Sequence, residues 1–351
     1  MSIIFKRFIL SLAVTAALTL VGCAGGKTAD TQDTKEEAVT EAVNETDTPT
    51  AETVEASEET LISETDVTNE ERNNEVAFTD ALGREITVGS PERVVTLLGS
   101  FCDMWKLAGG DVVGTAKDSW TAFDLDLSED VINVGSFLEP DLEQIITASP
   151  DLVIASAGAD AQVELLDTFE GAGINVAYFE VSNFDEYLST LDVFTQITGR
   201  SDLYEKYGTS IAQEIEEQKS RVDDSHPTVL FIRAAASSVK AKGSEGTVGG
   251  EILADLGCIN IADSDDSLLE DLSLEAIVAA DPDYIFVTTQ GEDTEAALAN
   301  VQELLKDNPA WSSLSAVENG NYYEIEKALY NSKPNARWGE AYKKLADILY
   351  D

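Results

Sequence analysis

The 351-residue chain predicts an α/β protein with two Rossmann-like lobes joined by a single long helix. Three observations lead there. From residue 76 onward, short β-branched or aromatic runs alternate with amphipathic segments, as in parallel sheets covered on both faces by helices. A helix–Pro-Asp–strand unit occurs twice, at Leu142–Ile154 and Leu274–Phe286, offset by 132 residues and each with Glu seven residues before Pro-Asp. Between the copies, Tyr204, Tyr207, Ile211, Ile215 and Val222 recur at helical spacing.

In chain order, Lys6 and Arg7 precede a 14-residue apolar run, Phe8 to Val21. It is shorter than the roughly 20 residues of a stable membrane span and has the layout of an export signal. Leu20-Val21-Gly22-Cys23 resembles a bacterial lipobox, which makes 1–22 a signal peptide and Cys23 the lipidated N-terminus on the outer face of the cytoplasmic membrane. Residues 24–75 hold 16 acids, three bases and no aromatic residue. Such a composition cannot offset its ordering entropy, so 23–75 reads as the lipidated Cys and a disordered acidic tether.

Strands are expected at Val94–Leu98, Val112–Ala116, Leu152–Ala155 and Val176–Phe179 in a first lobe, 76–200. A linking helix follows at 201–223, started by Asp202 and Glu205. The second lobe, 224–351, is expected to place strands at Val229–Ile232, Ile259–Ala262, Tyr284–Thr288 and Tyr322–Ile325. One stiff crossing permits only limited rotation, the behaviour of a shallow-hinged clamshell. Cys102 and Cys258 fall in different lobes and are expected as buried free thiols.

The chain carries 67 acids against 22 bases, a net charge of −45. Nucleic-acid binding needs a basic face and is disfavoured. A single histidine, His226, excludes multi-histidine metal sites and leaves Ser–His–Asp or Cys–His catalysis unsupported. His226 itself reads as a loop residue before a strand. Neither a catalytic residue nor a resident cofactor is expected.

Against that background, two cationic segments without acids stand out: Arg233–Lys242, with Arg233, Lys240 and Lys242, and Leu329–Trp338, with Lys333 and Arg337. Arg233 ends a strand, where open α/β sheets bind ligands. Asn335 is expected to cap the last helix, which would put Arg337 in its first turn and invite an anion there. Trp120, Phe137, Tyr330 and Trp105 are candidate aromatic walls, although Trp105 equally suits a core helix. The glycines at 243, 246, 249 and 250 read as a loop opening a helix.

Phe78-Thr79-Asp80-Ala81-Leu82-Gly83-Arg84, Pro91-Glu92-Arg93-Val94-Val95 and Gly135-Ser136-Phe137-Leu138-Glu139-Pro140-Asp141 resemble the first lobe of iron-complex-type substrate-binding lipoproteins of ABC importers. Gly249-Gly250-Glu251-Ile252-Leu253-Ala254-Asp255-Leu256-Gly257, the two Pro-Asp units and Trp311 with Asn319-Gly320 resemble the rest of that pattern, over about residues 77–351. Cys258 departs from it, where the family often has glycine. The resemblance implies the helical-backbone periplasmic-binding-protein clamshell. It implies a monomer that captures a metal chelate and hands it to a permease and its ATPase. It also implies that Glu143 and Glu275 dock onto basic permease residues. The cargo expected is an anionic ferric siderophore. Haem, with Met104, Cys102 or a cleft tyrosine as axial ligand, and a corrinoid are the alternatives within the fold. A surface lipoprotein without cargo is the alternative outside it.

Overall fold

The computed structural model describes residues 75–351; Cys23, the signal and most of the tether lie outside the described residues. An antiparallel hairpin of β1 (Val76–Thr79) and β2 (Glu85–Val88) opens the fold. Five parallel strands follow in a first sheet: β3 (Val94–Thr96), β4 (Gly114–Thr115), β5 (Ile132–Asn133), β6 (Leu152–Ser156) and β7 (Asn175–Phe179), ordered β5-β4-β3-β6-β7. The second sheet holds β8 (Thr228–Ala235), β9 (Ser238–Lys242), β10 (Ile259–Asn260), β11 (Tyr284–Thr289) and β12 (Tyr322–Glu324). Its parallel order is β10-β8-β11-β12, with β9 antiparallel along the end of β8.

All eight expected strands are present, though β10 is cut short by a 3₁₀ turn at Ile261–Ser264. Two strands within the five-stranded sheets were not anticipated. β5 has only two residues, below the length at which alternation is readable. β9 lies inside the cationic segment, whose lysines hid the period-2 pattern of buried Val239 and Ala241.

The repeated unit has a mechanical role. Asp151 accepts hydrogen bonds from the backbone N–H groups of Glu92 (2.8 Å) and Arg93 (3.0 Å), just ahead of β3. Asp283 accepts from the Thr228 N–H (2.8 Å) at the start of β8. In each copy Pro ends the helix while Asp clamps the neighbouring strand. The residues before the two prolines, Ser149 and Asp281, both adopt left-handed φ, 47° and 43°.

The linking rod runs from Ser201 to Lys219, with a π-turn at Glu205–Thr209. It stops three residues before Val222. Ile211 and Ile215 of its apolar stripe are buried. They join a central core that includes Phe194 of the Phe184–Thr198 helix, Phe231 of β8 and Trp338 of the Trp338–Tyr350 helix. Separate cores cover the outer faces of the two sheets. A core common to both sheets resists large rotations, because buried packing does not deform continuously. Cys102 and Cys258 are buried free thiols.

Candidate functional site

Period-2 geometry sets the site. Val229, Phe231 and Arg233 lie on one face of β8; the first two enter the central core, and Arg233 emerges at the carboxyl end of the strand. Register places Lys242 opposite Phe231 and Lys240 opposite Arg233, so three cations share one face. Lys333 reaches the same place from the segment after the Lys327–Tyr330 helix.

Two adjoining cavities share Arg233, Asn331 and Lys333. The smaller, about 170 Å³, is lined by Glu180 to Ser182, Lys242, Gly246 to Val248 and Tyr330. The larger, about 380 Å³, brings Leu98, Ser100, Lys117, Asp118, Phe123 and Phe137 of the first lobe against Gln290 to Glu292, Lys327 and Ser332 of the second. The Val248–Asp255 helix starts at the smaller cavity, adding the positive end of its dipole.

The charges are poorly compensated. Arg233, Lys242 and Lys333 make no ion pair or side-chain hydrogen bond among the described residues; Lys333 Nζ only faces the Phe101 ring, 5.7 Å from its centroid. Burial pushes the Arg233 guanidinium down from its ordinary pKa. Burial and then the nearby Arg233 and Lys240 push Lys242 down. Burial also lowers Lys333, opposed by the charges of Glu180, Glu186 and Asp118. Desolvation raises Asp118, although its Oδ2 accepts from the Gly99 N–H at 3.0 Å. That contact requires glycine: a Cβ at Gly99 would lie 2.7 Å from the Ser119 nitrogen. Ser100, Asp118 and Asn331 line the larger cavity, and their Oγ, Oδ1 and Oδ1 atoms are buried without hydrogen-bond partners among the described residues. Buried unpaired polar atoms are costly, and these three residues belong to the cavity wall. At the mouth, Lys117 and Glu292 form a 3.8 Å ion pair between the lobes.

Of the residues expected here, Phe137, Arg233, Lys242, Tyr330 and Lys333 line the cavities. Lys240 is exposed on the same sheet face without lining them. Trp120 is half-buried on the Asp118–Thr121 helix, outside the lining, while its neighbours Thr121 and Phe123 contribute. Tyr330 is a wall with a committed hydroxyl, which donates to the Ala341 carbonyl at 3.1 Å.

Two more lie away from the cavities. Trp105 is buried in the Gly99–Leu107 helix, packs edge-on against Phe194 and donates to the Asp111 carbonyl; it belongs to the core. Arg337 is exposed, outside both cavities, and pairs with Glu340 (2.7 Å) and Glu326 (3.3 Å). Acids on its own helix and on the preceding turn resolve the conflict that an anion was expected to resolve. Arg337→Ala should therefore leave cargo affinity unchanged. Its partner Glu340 has its pKa held down to about 2, chiefly by the Arg337 and Lys344 hydrogen bonds. A depressed carboxyl stabilises the fold above its unfolded pKa and loses that stabilisation as pH falls through the folded value. The variant should then unfold at a higher pH in an acid titration followed by circular dichroism.

Met104 and Cys102, considered as haem ligands, are fully buried in the central core. Sequence reasoning passed over Glu180, Gln290 and Glu292. They follow the carboxyl ends of β7 and β11, so the rule that picked out Arg233 applies to them as well. Lys327, whose Nζ donates to the Gly291 carbonyl at 2.6 Å, gave no comparable signal.

Glu143 and Glu275 are exposed in the first turns of the Leu142–Thr147 and Leu274–Ala280 helices. The starts are built alike: Asp141 and Ser273 accept from the N–H groups of Gln144 and Ala276.

Residues 94–329 match the periplasmic binding protein family. The Fe(3+)-citrate-binding protein YfmC of Bacillus subtilis (strain 168) is 30% identical over 261 residues, covering 71% of this chain and 77% of that protein. Two other Bacillus subtilis relatives carry the word lipoprotein in their names. An ABC transporter substrate-binding protein from Listeria monocytogenes EGD-e superposes with a TM-score of 0.58 at 23% identity, covering 74% of this chain and 98% of that one. The periplasmic heme-binding protein RhuT from Roseiflexus sp. RS-1 superposes with a TM-score of 0.61 at 22% identity, covering 74% and 98%. The chain belongs to the periplasmic binding protein family and is a substrate-binding protein of the ABC-importer kind, not an enzyme.

Proposed function

We propose that this protein captures a compact, polyanionic ferric chelate between its lobes and delivers it to an ABC permease, anchored outside the cell membrane through Cys23. The observation that carries the reading is the convergence of Arg233, Lys242 and Lys333, unpaired among the described residues and partly desolvated, in the cleft of a chain with net charge −45. So acidic a protein has no shortage of carboxylates to neutralise three cations. Leaving them bare keeps them free for charge-assisted hydrogen bonds to carboxylate, catecholate or similar oxygens. Likeness to the Fe(3+)-citrate-binding protein YfmC supports a hydroxycarboxylate chelate as the cargo to try first.

Haem fits less well. The cavity linings contain no His, Met or Cys, and the hydroxyl of their one tyrosine, Tyr330, is already bonded. A corrinoid would find only Phe123 and Phe137 as side walls in the larger cavity.

Exposed Glu143 and Glu275 would meet cations on the permease, since opposite charges steer such encounters. The test is thermal unfolding with ferric citrate, ferric hydroxamates, ferric catecholates, haem and cobalamin. A ligand at 100-fold its Kd adds about 2.7 kcal/mol. The expected shift is with an anionic ferric chelate. A shift with haem or cobalamin alone would replace the cargo, and no shift across the panel would remove the capture function.

A further inference from the structure

The repeat that duplicates Glu143 and Glu275 duplicates a second exposed feature. Three residues on in each copy stands an aliphatic side chain, Ile146 in the first and Val278 in the second. An i, i+3 spacing puts each on the same helix face as its glutamate. Ile146 is 50% exposed and Val278 37%, in a described chain with only seven exposed large hydrophobic residues. The core does not need them, because their neighbours Ile145 and Ile277 already fill the inner face and are completely buried. The two helices, LEQIIT and LEAIVAA, carry one charge each, the glutamate, although a quarter of the chain is charged. Single exposed aliphatic residues need no explanation. The same residue class at the same place in both copies, on otherwise uncharged faces, does.

Resting on the docking reading of the two glutamates, we infer that Ile146 and Val278 are part of the permease-binding surface. The partner is then a pair of like permease subunits, each offering a cation beside an apolar recess. Glutamate meets the cation and the aliphatic side chain fills the recess, so the two lobes engage the two subunits in equivalent fashion. Burying an aliphatic side chain adds about tenfold or more in affinity per site. The acid supplies orientation and a faster encounter.

The probe is the purified permease–ATPase complex, in lipid nanodiscs, whose ATP hydrolysis the wild-type protein is expected to stimulate. Association and stimulation are measured for I146S/V278S, for E143Q/E275Q and for I259S/L304S, which alters two exposed aliphatic residues elsewhere. Ferric citrate binding and Tm of each isolated variant are measured in parallel. I146S/V278S should weaken association about 100-fold with Tm and ferric citrate affinity unchanged, I259S/L304S should behave as wild type, and I146V/V278I should restore binding. If E143Q/E275Q weakens association and I146S/V278S does not, the inference is overturned while the docking reading survives. If neither pair weakens it, the docking reading falls and the inference with it. Equal loss in I259S/L304S would also overturn it, since the effect would then not belong to the repeated faces.

Discussion

Replacing Arg233 with Ala and Lys333 with Met together should weaken ferric citrate binding by about 10²–10⁴-fold, while the ligand-free protein becomes more stable. A hydrogen bond to a charged group contributes about 1.5–3 kcal/mol, and 1.4 kcal/mol is about tenfold in affinity, so two such cations account for the range. The rise in stability has the same origin as the affinity. Burial disfavours both charges, and neither has an ion-pair partner among the described residues. Without ligand the fold carries their desolvation with no ion pair to offset it; an anionic ligand supplies each charge with a partner. Stability sacrificed at a functional site is the usual trade between activity and folding. Isothermal titration calorimetry and thermal unfolding of the same variant check the two halves. Weaker binding accompanied by a lower Tm would mean that these residues hold the fold rather than the cargo.

The same cations set a pH dependence. Lys242 and Lys333 have lowered pKa values, so they lose their protons before ordinary lysines do. Between their folded and unfolded values the unfolded chain binds more protons, so the ligand-free protein gains stability as pH rises through that alkaline window. Affinity for an anion should fall over the same window. Titrations with the kinetically inert chromium(III) analogue of the chelate, at neutral and alkaline pH, would show whether the two move in opposite directions.

The sheets were legible because strands covered on both faces write continuous apolar runs, and because a 132-residue repeat declares two similar halves. Arg233 and Lys242 were legible for a different reason: in so acidic a chain, a stretch of cations without acids is conspicuous. Arg337 shows where that signal fails. Its partners Glu340 and Glu326 stand 3 and 11 residues away, just outside the acid-free window that made it conspicuous. Trp105 stayed open between cleft and core because a helix following β3 turns one side inward, and sequence alone does not fix which. The cavity residues after β7 and β11 could have been found from strand polarity. The half-buried position of Trp120 and the commitment of the Tyr330 hydroxyl depend on tertiary packing and left no trace in the sequence.

Asn335 makes the largest correction to the expected geometry and supports the second large prediction. Instead of capping the last helix, it sits at φ 50°, fully buried, and reaches across to the first lobe. Its Nδ2 donates to the Ser100 carbonyl at 2.9 Å and to Asp103 Oδ2 at 2.8 Å. Asn335→Gly keeps the left-handed backbone free of strain and removes the two bonds together with a small buried side chain. One of them is charge-assisted, so the loss should be about 3 kcal/mol, a fall in Tm of roughly 5–10 °C. Asn335→Ala should cost more, because alanine resists that φ. Asp103 supplies a signature that packing loss would not. Burial raises its pKa and the Asn335 hydrogen bond lowers it. Without that bond the pKa rises further, so the charged carboxylate becomes an uncompensated cost that grows as pH climbs above its unfolded value. The destabilisation by Asn335→Gly should therefore be largest at neutral pH and shrink toward pH 4. A pH-independent loss would assign Asn335 a purely steric role. Lys333, two residues earlier, should respond in the opposite sense, gaining stability when its charge is removed. The segment 333–335 thus holds one residue that joins the lobes and one kept uncompensated between them for the ligand.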